Sequence, residues 1–193
     1  MSWCDGLISK GLEQGDCSNR PVKGFEHEAL LINRADIDWS GVTYSTTNPN
    51  VVTALPLKTG KTAFVVWQRG SQPFSGSTDS GEAGTYINTV TKNLVVAILT
   101  NDKEVANKFL DPALNGDFVA VMECKDKGAG NASAFIIKGL HNGLHMSAYE
   151  ADAYGDAFGG GLLTLTETGA PMAKVYLGDN YTAGKTLYDG LKD

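Results

Sequence analysis

The amino-acid sequence predicts a mainly β protein with one helix, an α+β chain folded as a β-sandwich or barrel with the helix against it. Three observations predict this class. Short runs rich in Val, Ile, Thr and Tyr recur between turn signals. Glycine is abundant, 23 of 193 residues, against an average usage of roughly 7%. One segment alone, about 102–111, joins an N-cap to an apolar stripe of helical period.

Residues 1–24 are punctuated by Gly6, Gly11, Gly15, Pro21 and Gly24 and are expected to form an extended arm. Ordering such an arm costs entropy that contacts from a neighbouring subunit would offset. The remainder, 25–193, is expected to be a single β-rich domain. A first strand covers about Glu28–Asn33, with Ala29, Leu30, Leu31 and Ile32 as its apolar run. Val42–Ser45 and Val51–Leu55 are short strands around the Asn48-Pro49-Asn50 turn. Lys61–Gln68 carries the unbroken apolar run Ala63 to Trp67, the pattern of a strand covered on both faces. Residues 69–84 are polar and Gly-rich, and read as a long flexible loop suited to bridging subunits.

Tyr86–Leu99 returns to β character. The helix follows, with Thr100-Asn101-Asp102 as its N-cap group, Val105, Ala106, Phe109 and Leu110 as its stripe, and Pro112 as its stop. Five more strands are expected at Phe118–Cys124, Ser133–Lys138, Gly143–Ala151, Leu162–Glu167 and Ala173–Leu177. The alternation in LTLTET marks a half-exposed antiparallel strand.

Hydrophobic residues make up 42% and charged residues 20%, enough apolar surface for a core. A net charge of -6 argues against a nucleic-acid binder, which needs a basic stripe to displace counterions. No apolar run approaches the ~20 residues that span a membrane, and the start Met1-Ser-Trp-Cys-Asp lacks the basic and apolar regions of a secretory signal. Cys4, Cys17 and Cys124 are odd in number and form no C-x-x-C pair, so reduced thiols are expected.

No enzyme motif survives inspection. Thr59-Gly60-Lys61-Thr62 would need Gly at 55 for a phosphate loop, and that residue is Leu55. Ala183-Gly184-Lys185-Thr186 has its earlier glycine, Gly178, one position too far away. His141 and His145 with Glu150 could be drawn as metal ligands, but their i, i+4 spacing suits a helix and the segment reads as strand. Two surface histidines are the expected case, with no metal and no cofactor. Gly70-Ser71 and Gly76-Ser77 lack the strand-to-helix context of a nucleophile elbow.

Two segments carry a resemblance. Gly15-Asp-Cys-Ser-Asn-Arg-Pro-Val-Lys-Gly24 is followed by Glu28-Ala-Leu-Leu-Ile-Asn33-Arg34-Ala35-Asp36-Ile37-Asp38. Later, Phe135-Ile-Ile-Lys-Gly139-Leu140 leads to Asn142-Gly-Leu-His-Met146, and Gly159-Gly160-Gly161 opens Leu-Leu-Thr-Leu-Thr-Glu167. Together these resemble virion structural proteins of phages infecting Bacteroidetes, over about half the chain.

The resemblance implies a tail-tube-like protein found in the virion tail: a β-sandwich or barrel flanked by a helix, in hexameric rings that stack into a conduit for the genome. Its partners would be copies of itself and other tail or connector proteins, with phage DNA passing through unbound. Ring closure would pair sheet edges that otherwise invite aggregation. On this reading Cys17, Arg20, Phe25, Phe74, Asp79 and Glu82 would make contacts between subunits, with Phe25 and Phe74 as exposed apolar anchors. Glu150, Asp152 and Asp156 would give the lumen a negative lining that repels phosphates. A ring, connector or head-decoration protein is the nearest alternative. From other classes, a monomeric β-sandwich could bind glycans through Trp3, Trp39 or Trp67, although Trp67 reads as core, and a hydrolase could use His141 or His145.

Overall fold

The computed structural model describes residues 8, 10–11, 21–154 and 160–192. The predicted arm therefore lies largely outside the described residues; at 21–24 the chain is exposed and irregular. Eleven strands are described: β1 (Phe25–Asn33), β2 (Thr43–Tyr44), β3 (Val51–Ala54), β4 (Phe64–Trp67), β5 (Asp79–Glu82), β6 (Thr89–Ile98), β7 (Phe118–Cys124), β8 (Phe135–Lys138), β9 (His145–Ala151), β10 (Gly161–Ala170) and β11 (Val175–Leu177). They make a seven-stranded sheet in the order β2-β3-β11-β8-β7-β1-β4 and a four-stranded sheet in the order β5-β6-β10-β9. Every pairing is antiparallel except β11 with β3.

The central strands of the large sheet are buried on both faces. Leu30 and Ile32 of β1 and Val119 and Val121 of β7 face one cluster, closed by Tyr188 and Leu191 at the C-terminal end. Ala29, Leu31, Ala120 and Met122 face the other way, onto Leu94, Val96, Leu163 and Leu165 of the small sheet. Strand side chains alternate between faces, so runs such as ALLI and FVAVM must be apolar throughout. Each fully buried Leu or Val contributes roughly 1.5–3 kcal/mol by leaving water.

The predicted helix forms α1, residues 103–115, and differs from expectation at its end. It runs as Lys103–Val105, a π-turn at Ala106–Leu110, then Asp111–Asn115. The Asp102 side chain caps it by accepting from the Glu104 N–H at 3.0 Å. Pro112 does not close the helix. The π-turn ends with the Asp111 N–H donating to the Ala106 carbonyl, which leaves Pro112 in the opening turn of a new helical segment, where its missing donor costs little.

Three further expectations are corrected. A second helix, α2 (Tyr181–Gly190), follows the last strand, capped by Asn180 accepting from the Ala183 N–H at 3.0 Å. The Gly184-Lys185-Thr186 triplet lies inside α2 instead of preceding a helix. Residues 69–84 are not a structureless loop: Asp79–Glu82 pairs with β6, and Phe74 is buried among the side chains between the sheets. Finally β4 is an edge strand, not a strand covered on both faces.

Candidate assembly surfaces

Among the described strands β4 pairs with β1 alone, with Glu28 opposite Trp67 and Leu31 opposite Phe64. The Gln68 N–H donates to the His27 carbonyl at 2.8 Å. By the antiparallel alternation, Val65 and Trp67 then turn their backbone groups away from β1. Phe64, Val65 and Trp67 are 55%, 51% and 58% exposed. Trp67, expected in the core, instead stacks on His27 at 5.7 Å between ring centroids. Among the described residues the edge is thus apolar and open, a combination that folded proteins normally protect.

The free part of β6 is treated in the opposite way. Beyond β5, the Asn93 N–H donates to the Thr78 carbonyl at 2.7 Å and the Val95 N–H to Ser77 Oγ at 2.9 Å. The Gln68 amide then imitates a strand: its Nε2 donates to the Ala97 carbonyl at 2.9 Å and its Oε1 accepts from the Ala97 N–H at 3.3 Å. One edge is sealed by side chains while its neighbour stays open.

A second surface is the outer face of the small sheet. Leu163 and Leu165 point inward, so Leu162, Thr164 and Thr166 point out, opposite Ala97, Val95 and Asn93 of β6, with Glu150 of β9 opposite Leu162. Hydroxyl and amide groups form a chain across the strands. Ser147 Oγ lies 2.7 Å from Thr166 Oγ1, which donates to Asn93 Oδ1 at 2.8 Å. Thr91 Oγ1 donates to Glu82 Oε1 at 2.6 Å. Among the described strand residues turned outward here, none is Lys or Arg; Lys92 points inward.

The structure gathers some of the predicted residues and separates others. Glu82 and Glu150 share the outer face, although one was expected at subunit contacts and the other in a lumen. Asp79 turns the other way, its Oδ1 2.7 Å from the buried Lys138 Nζ. Asp152 lies just past β9 and accepts from the Tyr154 N–H at 2.9 Å. Phe25 is half-buried, lining with Phe74, Cys124 and Tyr176 a cleft of about 820 Å³. Phe74 is not an exposed anchor: at 2% exposure it is held by its own chain. Cys17, Arg20 and Asp156 lie outside the described residues.

His145 is exposed, with its Nε2 3.7 Å from Asp117 Oδ1. His141 is not a plain surface residue. It is half-buried, burial holds its imidazole below the usual histidine range, and its Nδ1 is buried without a hydrogen-bond partner. Among the described residues no group of His, Cys, Asp and Glu is arranged to hold a metal. Burial pushes the Cys124 thiol up to about 11, away from nucleophilic use.

No known protein family, curated protein or solved structure matches this chain. The fold and its surfaces therefore carry the functional reading alone.

Sequence reasoning missed a polar layer inside the sandwich. Lys138 Nζ donates to Asp79 Oδ1, to the Asn93 carbonyl at 2.8 Å and to the Thr78 carbonyl at 3.3 Å. Glu167 accepts three backbone N–H groups from the turn after β8: Gly139 at 2.9 Å, His141 at 3.0 Å and Asn142 at 3.0 Å. The signal that could have found it is a charge at an inward position, since Lys92 continues the series Leu94, Val96, Ile98 and Glu167 continues Leu163, Leu165. The β5–β6 hairpin tip was also missed; there Tyr86 and Ile87 are 97% and 75% exposed.

Proposed function

We propose that this chain is a non-enzymatic bacteriophage structural subunit that self-assembles, of tail-tube type, forming stacked rings that make a conduit for the genome. The observation that carries the reading is the outer face of the small sheet. A surface that DNA slides past needs no counterion-releasing cations and few groups that grip phosphate, and a face of hydroxyls, amides and aliphatic side chains that bears Glu82 and Glu150, with no Lys or Arg among its described strand residues, meets both needs. The open apolar edge of β4 supports the assembly half of the reading. An edge left with unpaired backbone groups is completed by a strand from a neighbouring subunit. The exposed hairpin tip at Tyr86 and Ile87 offers a further heterologous contact, the kind that closes rings or extends filaments.

Negative-stain electron microscopy beside light-scattering mass, over a range of concentration, tests the proposal. Rings or stacked tubes with a central channel are expected. A strictly monomeric particle at every concentration contradicts it. The Trp67–His27 stack favours one second reading, a monomeric module that binds sugar rings on an aromatic platform. That reading predicts a monomer whose Trp67 fluorescence shifts on titration with soluble glycans.

A further inference from the structure

We propose that Lys92 and Glu167 become joined by a spontaneous intramolecular isopeptide bond that staples β6 to β10 inside the sandwich. The two residues are direct partners in the antiparallel register, both on the inward face. Their side chains are 2% and 0% exposed, and Lys92 Nζ lies 3.6 Å from Glu167 Oε2.

The two buried lysines of this layer differ in one respect. Lys138 Nζ has three acceptors within hydrogen-bond distance, so its charge is accommodated as an ion pair. Lys92 Nζ has none. An ammonium at that depth, with its one carboxylate beyond hydrogen-bond range, lacks the geometry that offsets desolvation. An amide at the same place removes both buried charges.

The surroundings suit the reaction. The first step is transfer of one ammonium proton to Oε2. The Nζ lone pair then adds to Glu167 Cδ, forming the C–N bond, and negative charge develops on Oε1. That oxygen already accepts from the His141 and Asn142 N–H groups at 3.0 Å each, the arrangement of an oxyanion hole. A second Nζ proton passes to Oε2, the C–Oε2 bond breaks, and water leaves. Atoms and protons balance without oxidant, metal or co-reactant: one ammonium and one carboxylate give one amide and one water.

The inference is independent of the oligomeric state, and its test is read on the denatured full chain. Intact-mass spectrometry of the folded, then denatured, protein is expected to show a deficit of one water. Proteolysis is expected to release a branched peptide joining the segments that carry Lys92 and Glu167. Lys92→Arg is expected to restore the full mass. An intact wild-type mass overturns the proposal, and so does a water loss that persists in Lys92→Arg or maps to another site, such as a succinimide at Asp189-Gly190. Should Lys92→Arg fail to fold, the wild-type peptide map decides alone.

Discussion

At Phe74 a large apolar side chain sits on a backbone with a φ of 57°, a conformation that side chains other than Gly and Asn seldom take. Its burial against the sandwich core holds the strained turn in place. We predict that Phe74→Ala lowers stability by about 3 kcal/mol, read as a shift in the urea unfolding midpoint. His141 gives a pH-dependent term. Its folded-state pKa is depressed by burial, against the opposing pull of Glu167 and with the push of Lys92 and Arg34, while the unfolded chain titrates near 6.5. The unfolded state therefore binds more protons below that value. The His141 contribution is full above about pH 6.5 and is lost as pH falls from there through the folded-state value. The thermal midpoint should drop as pH falls below about 6.5, and His141→Gln should flatten that drop. Neither residue role was legible in the sequence: a phenylalanine in a Gly/Ser run and a histidine in a turn carry no local mark of burial.

Among the elements, the strands were legible and their neighbours were not. The run Ala29 to Ile32 and the run Ala63 to Trp67 have the same unbroken apolar pattern. The first is a strand buried on both faces; the second is an edge that buries Ala63 and Val66 while Phe64, Val65 and Trp67 meet solvent. Local pattern reports what a strand can bury, and only the partner order tells whether a neighbour covers it. We predict that Val65→Lys leaves the circular dichroism of the subunit unchanged and raises the concentration needed for assembly by about tenfold, or about 1.4 kcal/mol. A variant that assembles as readily as wild type would remove β4 from the interface. Helix α2 escaped prediction because its sequence, with Gly184, Thr182 and Thr186, is a weak helix former. Packing overrides propensity there. A Cβ at position 184 would come within 2.5 Å of the Leu177 carbonyl oxygen, so the glycine is what lets α2 lie close to the large sheet.

For the whole molecule, the relevant quantity is where charge is absent. The chain carries 16 Lys and Arg residues, yet none of them is found among the described outward residues of the small sheet. If that face lines a conduit, adding cations should turn a non-binder into a binder. We predict that the double variant Thr91→Lys and Thr164→Lys retains duplex DNA in a filter-binding assay at low salt, with affinity falling steeply as salt rises, while the wild type does not bind. Equal retention by both proteins would argue against the conduit face. A change in ring mass without DNA retention would place the face at a subunit contact instead.

Several features of this protein follow from the sequence by itself. Period-2 alternation, glycine-marked turns and the Asp102 cap are properties of neighbouring residues, so they determined that the chain is mainly β, where most of its strands lie, and where its longer helix begins. The tertiary structure alone decided which strand became an exposed edge, that Glu82 and Glu150 share a face with no Lys or Arg among its described strand residues, and that Lys92 pairs with Glu167 and Lys138 with Asp79 inside the sandwich. The physical reason is range. Hydrogen bonding within a turn or cap involves atoms a few residues apart, whereas burial, edge exposure and charge pairing depend on contacts between residues as far apart as Lys92 and Glu167.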